Sequence, residues 1–163
     1  MDNFYEQLNK AGKSPVYGIM QFLSYVFFAF SLVFLISLNP LLLAVSLLLG
    51  LILFFVKKKY FVEYEYGYTN SEIYIDMITE QKNRKRIIAF NIKDIQAYGD
   101  ESLADVARYK NMGKIINAIS TNDKSKVYGL YAIIENRKYY IRFTPDKKFY
   151  DLINRFNRRA EIK

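Results

Sequence analysis

Residues 14–59 read SPVYGIMQFLSYVFFAFSLVFLISLNPLLLAVSLLLGLILFFVKKK, and this stretch decides the fold. No charged side chain occurs in residues 14–56, and three lysines follow at once. A bilayer core takes about 20 apolar residues per helix, so the run is too long for one span. It divides at Asn39-Pro40, where proline removes a backbone donor and the pair signals a turn. Two spans follow, over residues 16–38 and 40–56. At ~1.5 Å per residue the second is short, about 25 Å, so it tilts little or draws Lys57, Lys58 and Lys59 toward the interface. Neither helix has a polar face, which argues against a soluble core hairpin. Ala29-Phe30-Ser31 has the small residues of a signal-peptide cleavage site, but the apolar run continues well past it. A single bent span with a re-entrant end is the other alternative. Ser46 and Gly50 have the spacing of a close helix contact, within the hairpin or between chains of a homo-oligomer.

The lysines orient the hairpin. Lys57, Lys58 and Lys59 follow the second span, Lys10 and Lys13 precede the first, and Asn39-Pro40 carries no charge. By the positive-inside rule both termini are expected in the cytoplasm, in a multi-pass protein of the cell membrane. Tyr17, Tyr25 and Tyr60 are candidate interfacial rings. Before the hairpin, residues 1–15 are expected to form a short interfacial segment. Phe4, Tyr5 and Leu8 suggest a brief helix there, broken at Ser14-Pro15.

Composition narrows the chemistry. The chain has 163 residues, a net charge of +8, no Cys and no His. The charges before the hairpin cancel, so the whole excess lies in residues 57–163. Without Cys there is no disulfide framework, iron–sulfur cluster or thiol nucleophile. Without His the commonest metal ligand and the commonest acid–base group are missing. Tyrosine (15) and phenylalanine (13) are abundant, which suits half-buried strands.

Beyond Lys59 the pattern changes from solid apolar to alternating. Strands are predicted over 60–66, 72–78, 85–90, 92–98, 115–120, 128–135 and 139–144. The first four lie close enough for an antiparallel meander. Residues 99–113 read as a loop with a short helix near 103–108. The last element is a helix over 145–159, with Thr144 as N-cap, Pro145 at its first position and an apolar stripe of Phe149, Leu152, Ile153 and Phe156. The expectation is an α+β membrane protein: a two-helix transmembrane hairpin, then a seven-stranded antiparallel barrel or sandwich with a C-terminal helix.

That order, seven strands closed by one helix, resembles the pleckstrin-homology (PH)-like barrel. Met1-Asp2-Asn3-Phe4-Tyr5-Glu6-Gln7-Leu8, residues 60–66 and Phe90-Asn91-Ile92-Lys93-Asp94-Ile95 are similar to an uncharacterised family of small bacterial membrane proteins. In that family two N-terminal transmembrane helices precede a PH-like domain. The resemblance implies a fold and an address, with no activity to carry over.

No phosphate-binding glycine loop is present, and Met112-Gly113-Lys114 lacks the first glycine and the hydroxyl. A Ser-His-Asp or Cys-His site is impossible. Asp94, Asp100, Glu101 and Asp105 are acidic but match no calcium-loop spacing. Glu63 and Glu65 share a strand face, as a carboxylate pair or as ordinary exposed alternation. The expectation is therefore no enzyme, no metal and no cofactor. Basic clusters are more suggestive. Lys82, Arg84, Lys85 and Arg86 fall in one turn and strand start, and with Lys57, Lys58 and Lys59 they are candidate ligands for anionic lipid headgroups, at ~1 kcal/mol each near a surface. Tyr139, Tyr140 and Arg142 are a weak hint of nucleic-acid stacking, and no nucleic acid is expected for a tethered domain. The leading expectation is a non-enzymatic scaffold on the lipid bilayer that binds a protein partner by strand addition. A sensor of anionic lipid is the alternative, and an enzyme using a carboxylate site a distant third.

Overall fold

The computed structural model describes residues 4–162. Two apolar helices stand apart from a β-rich domain. Helix α1 spans Pro15–Ile36 and α2 spans Pro40–Val56. Each begins with proline behind a polar cap: Ser14 Oγ accepts from the Val16 N–H at 3.2 Å, and Asn39 Oδ1 from the Leu42 N–H at 3.2 Å. Residues Pro15–Ile36 and Pro40–Tyr60 are long and apolar enough to cross a membrane, by length and composition. The few small polar residues face the helix–helix seam. Ser24, Ser31, Ser46 and Gly50 are buried there, and Ser31 and Ser46 share a hydrogen bond of 3.0 Å. A Cβ on Gly50 would lie 2.7 Å from the Phe28 ring, so glycine sets the approach. The Ser46/Gly50 spacing thus serves the hairpin itself.

The domain holds eight strands in two four-stranded sheets. They are β1 Phe4–Asn9, β2 Val62–Thr69, β3 Glu72–Thr79, β4 Asn83–Asn91, β5 Ile95–Asp100, β6 Lys114–Asn117, β7 Tyr128–Ile134 and β8 Arg137–Phe143. The first sheet has the order β1-β2-β3-β4, the second β5-β7-β8-β6. All pairings are antiparallel except β6 with β8, which is parallel. A short helix α3, Ala104–Ala107, and a following 3-10 turn lie over the second sheet. Helix α4, Lys147–Asn157, closes the core. Tyr66, Ile73, Ile75 and Phe90 of one sheet meet Leu130, Ile141 and Phe143 of the other, with Phe149 and Ile153 of α4 between them.

Four expectations are corrected. Residues 4–9, read as an interfacial helix, form strand β1, which pairs with β2 from Phe4↔Thr69 to Asn9↔Tyr64. There are eight strands in two separate sheets, with one parallel pair, in place of seven antiparallel ones. Ile92–Asp94 is a 3-10 turn set by an Asn91/Asp94 capping box, and the strand after it joins the second sheet. Helix α4 is capped by Asp146, whose Oδ1 accepts from the Phe149 N–H at 2.7 Å. Thr144 is buried instead and accepts from Gln7 and Asn9 of β1 through its carbonyl, at 2.9 Å each. The start of the expected N-terminal segment, residues 1–3, and residue 163 lie outside the described residues.

Candidate functional site

The domain meets the hairpin at one end, and the chain passes that end repeatedly. Asn9 of β1 leads into the loop before α1, and the turn after α2 leads into β2. The β3–β4 hairpin turn reaches the same place, because the Glu80 N–H donates to the Phe61 carbonyl at 3.0 Å. So does the loop after β6, where the Thr121 N–H donates to the Val62 carbonyl at 2.8 Å and Asn122 approaches the Gly12 carbonyl at 3.5 Å.

At the centre is Lys57, only 4% exposed. Its ammonium lies 3.6 Å from Glu80 Oε1, 5.1 Å from the Tyr17 ring centre and 4.5 Å from that of Phe54. Tyr17 donates to Glu80 Oε1 at 2.9 Å and packs edge-on against Phe61, with ring centres 5.6 Å apart. A buried ammonium needs a carboxylate and ring faces to offset its desolvation, and these groups supply both. The turn bringing Glu80 here has Glu80 at φ 53° and Gln81 at φ 56°. Two successive residues of this three-residue turn thus sit in the left-handed region, where Asn and Gly are favoured. Its side chains are engaged: Glu80 with Lys57 and Tyr17, Gln81 donating to Glu63 Oε1 at 3.0 Å.

The seven basic residues singled out from sequence divide. Lys57 is buried in the clamp just described. Arg84 pairs with Glu65 and lies 4.0 Å from Asp76, while Arg86 grips Asp76 at 2.9 and 3.3 Å and stacks 4.2 Å above the Tyr74 ring. These two guanidiniums cover acids set on the outer face of the first sheet. Glu63 and Glu65 are buried, 3% and 7% exposed, contrary to the exposed alternation their spacing suggests; Arg84 covers Glu65, and the hairpin-end loop and turn cover Glu63. Glu63 accepts from the Ala11 N–H at 3.0 Å as well as from Gln81. Burial pushes the Glu65 carboxyl above its ordinary range, against the pull of Arg84. Tyr74, lying across Gly67, donates to Glu6, and burial followed by that bond raises its phenol to about 12.

Lys58, Lys59, Lys82 and Lys85 remain without a carboxylate in ion-pair range among the described residues. Lys58 turns back onto the hairpin, 5.7 and 5.1 Å from the Phe54 and Phe55 ring centres. The fold brings three more lysines to them: Lys10 and Lys13, which the positive-inside reading already sets on the same side as Lys57 to Lys59, and Lys124, which it does not reach. Lys13 lies 5.9 Å from the Tyr17 ring, Lys10 follows Asn9, and Lys124 sits two residues beyond Asn122. Lys10, Lys13, Lys59, Lys82 and Lys124 are all exposed, in segments converging on the hairpin end. Lys124 had no signal in spacing, because its neighbourhood depends on the loop after β6 meeting β2 and the segment before α1.

The other singled-out residues do not converge. Asp94 caps the 3-10 turn after β4, and Asp105 pairs with Arg108 at 2.8 Å. Asp100 and Glu101 line an open groove of about 610 Å³, but its charges answer one another: Lys126 with Asp100 at 2.7 Å, and Arg142 and Lys110 with Glu101 at 2.7 and 3.7 Å. Lys126 and the Ser102 bonds hold the Asp100 carboxyl down at about 2. Tyr140 is fully buried and Tyr139 packs against the core, so neither offers a stacking face. Among the described residues, no group of three or more acids is placed to hold a metal ion.

Two packed sheets closed by a C-terminal helix define a PH-like domain, and domains of this class are in general binding or scaffold modules. The chain belongs to the family described as bacterial PH-like domain (DUF6106), whose model matches residues 1–163. No curated protein and no solved structure matches it.

Proposed function

We propose that this chain is a two-span membrane protein that holds a non-enzymatic PH-like scaffold against the cytoplasmic face of the cell membrane and presents it to protein partners. One observation carries the topology. Strand β1 precedes the hairpin, β2 follows it, and the two pair over six residues. The segments flanking the hairpin therefore lie on the same side of it, as two crossings require. Lysines at that end and none at Asn39-Pro40 favour a cytoplasmic domain side. The clamp of Lys57, Tyr17, Phe61 and Glu80 fixes how the domain sits on its anchor.

The absence of native cysteine makes the test simple. A cysteine replacing Ser37, near the hairpin tip, is expected to react with an impermeant maleimide in intact cells. One replacing Asn122 is expected to react only after permeabilisation. Labelling of the Asn122 variant from outside would reverse the orientation.

The converging lysines favour a second role: the scaffold's hairpin end contacts anionic lipid headgroups. Lys10, Lys13, Lys58, Lys59, Lys82 and Lys124 would lie at phosphate level, while Arg84 and Arg86 stay committed to acids. In nanodiscs, anionic lipid is expected to slow tryptic cleavage at Lys82 and Lys124 relative to zwitterionic lipid, and raised salt to abolish the difference. Equal cleavage in both lipids would remove this role.

A further inference from the structure

Four strands stand at sheet edges, and three are closed. The outer edge of β5 is covered by the chain itself, where Glu161 bridges to Tyr98 and the Ile162 N–H donates to the Tyr98 carbonyl at 2.8 Å. Strand β1 is flanked by residues 144–146, bonded to its Gln7 and Asn9 side chains. Strand β4 carries Arg84, Lys85 and Arg86, and its pairing is interrupted by a register shift opposite Ile75/Asp76. Charge and irregularity of this kind blunt an edge against further pairing.

Strand β6 is neither covered nor irregular, and its single charge, Lys114, stands at its start. It reads Lys-Ile-Ile-Asn, pairs in regular register with β8, and among the described residues has no strand on its other side. The Ala118 N–H donates to the Arg142 carbonyl at 2.9 Å, which fixes the alternation. Ile116 faces β8 in the same way, so the N–H and C=O of Ile115 and Asn117 point off the sheet. The side chains beside this edge are apolar and exposed. Ile115 is 48% exposed and Met112 50%. Ile115 registers with Tyr140 on the face that β6 shares with β8. The charge around them has one dominant sign. Lys114, Arg137 and Lys138 are exposed with no carboxylate in ion-pair range among the described residues, and Glu135 is the one acid in the adjoining turn.

We infer that the β6 edge docks an extended acidic segment of a partner protein, which adds to the second sheet as a fifth strand. Its backbone bonds Ile115 and Asn117, its apolar side chains rest on Met112 and Ile115, and its carboxylates meet Lys114 and Lys138. Strand addition takes affinity from the main chain and selects sequence through alternate side chains. A second copy is disfavoured as occupant, because it would set Lys114 and Lys138 against their own kind. The inference rests on the reading of the domain as a binding module, and it assigns that module a place and a ligand chemistry.

The test uses the full chain in zwitterionic nanodiscs and three labelled peptides: alternating Glu-Val, the same composition with the glutamates in one block, and alternating Lys-Val. Binding is read by anisotropy, and amide exchange is followed at Ile115 and Asn117. The expected result is preference for alternating Glu-Val and slowed exchange at both amides. The Lys114→Glu/Lys138→Glu variant should lose at least tenfold and turn toward Lys-Val. An Asn117→Pro variant, deprived of an outward N–H, should bind weakly while keeping both charges. Equal binding of the two alternating peptides, or no binding, overturns the inference. So does protection confined to the hairpin-end lysines, although a binding module would then stand. An Ile115→Cys variant that cross-links between copies would name a second copy as the occupant and overturn the acidic partner.

Discussion

Replacing Lys57 with Ala should loosen the domain from the helical hairpin, whereas replacing Lys58 should not. The two lysines are adjacent in sequence and differ in surroundings. Lys57 is buried, faces Glu80 at 3.6 Å, and sits over two rings at 5.1 and 4.5 Å. Ring contacts of a desolvated cation contribute ~1–2 kcal/mol together. The partly buried ion pair adds ~1 kcal/mol, and the packed stem another ~1 kcal/mol once neighbours relax. The loss is about 3 kcal/mol, which for a chain of this size lowers Tm by about 6–12 °C. Lys58 has only ring contacts at 5.7 and 5.1 Å and no acid, so its truncation costs at most about 1 kcal/mol. The assay is thermal unfolding of the purified full chain in detergent, followed by tyrosine near-UV circular dichroism. Amide exchange at Glu80, whose N–H bonds Phe61, reports the clamp directly. Equal Tm for the two variants, with unchanged Glu80 exchange, would refute the assignment of the clamp to Lys57.

Three further outcomes are expected. Arg86→Ala should cost more than Asp76→Asn, about 3 against about 1 kcal/mol, because the first strands a buried carboxylate while the second frees an exposed guanidinium to turn to water; chemical denaturation of both variants gives the comparison, and the reverse order would count against it. Tyr140→Phe should leave stability unchanged or raise it by up to about 1 kcal/mol, since the Tyr140 hydroxyl is buried with no hydrogen-bond partner among the described residues; a clear drop in Tm would mean the hydroxyl is used. The domain should lose stability as pH rises from 10 toward 12. Burial lifts the Tyr66 phenol from 10.0 to about 12, and burial with the Glu6 bond does the same for Tyr74. A folded-state value above the unfolded one gives stability that is complete below pH 10.0 and is lost as the pH climbs to the folded value. Tyrosinate absorbance rising in a single step near the ordinary value, without loss of structure, would contradict this.

The hairpin and strands β2 and β3 were legible because each depends on a local period: solid apolar, then alternating. Strand β1 was not. Its inward residues, Tyr5, Gln7 and Asn9, are polar or half polar because they serve residues 144–146, so alternation of hydrophobicity could not reveal them. The spacing of Phe4 and Leu8 therefore read as a helix. Glu63 and Glu65 misled for a related reason, since the residues that cover them come from β4 and from the loop and turn at the hairpin end. The break between β4 and β5 did have a signal, the Asn91 and Asp94 pair at capping-box spacing. Of the basic residues, the sequence showed which were cationic but not which were spent on acids. That division is set by register between β3 and β4, where Asp76 meets Arg86.

The pairing of β1 with β2 also orders events during synthesis. Strand β1 leaves the ribosome first, yet its partner is made only after both apolar helices. Until then β1 waits without a neighbour, and the loop it must close is the whole hairpin, so the contact is slow to form. On the proposed two-span topology, a helix that failed to insert would strand β1 and β2 on opposite sides of the bilayer. The first sheet would then lack its edge strand, and residues 144–146 would lose Gln7 and Asn9. That topology would make completion of the domain conditional on correct insertion of the hairpin, and a misinserted chain would carry an open sheet that cellular proteases can recognise.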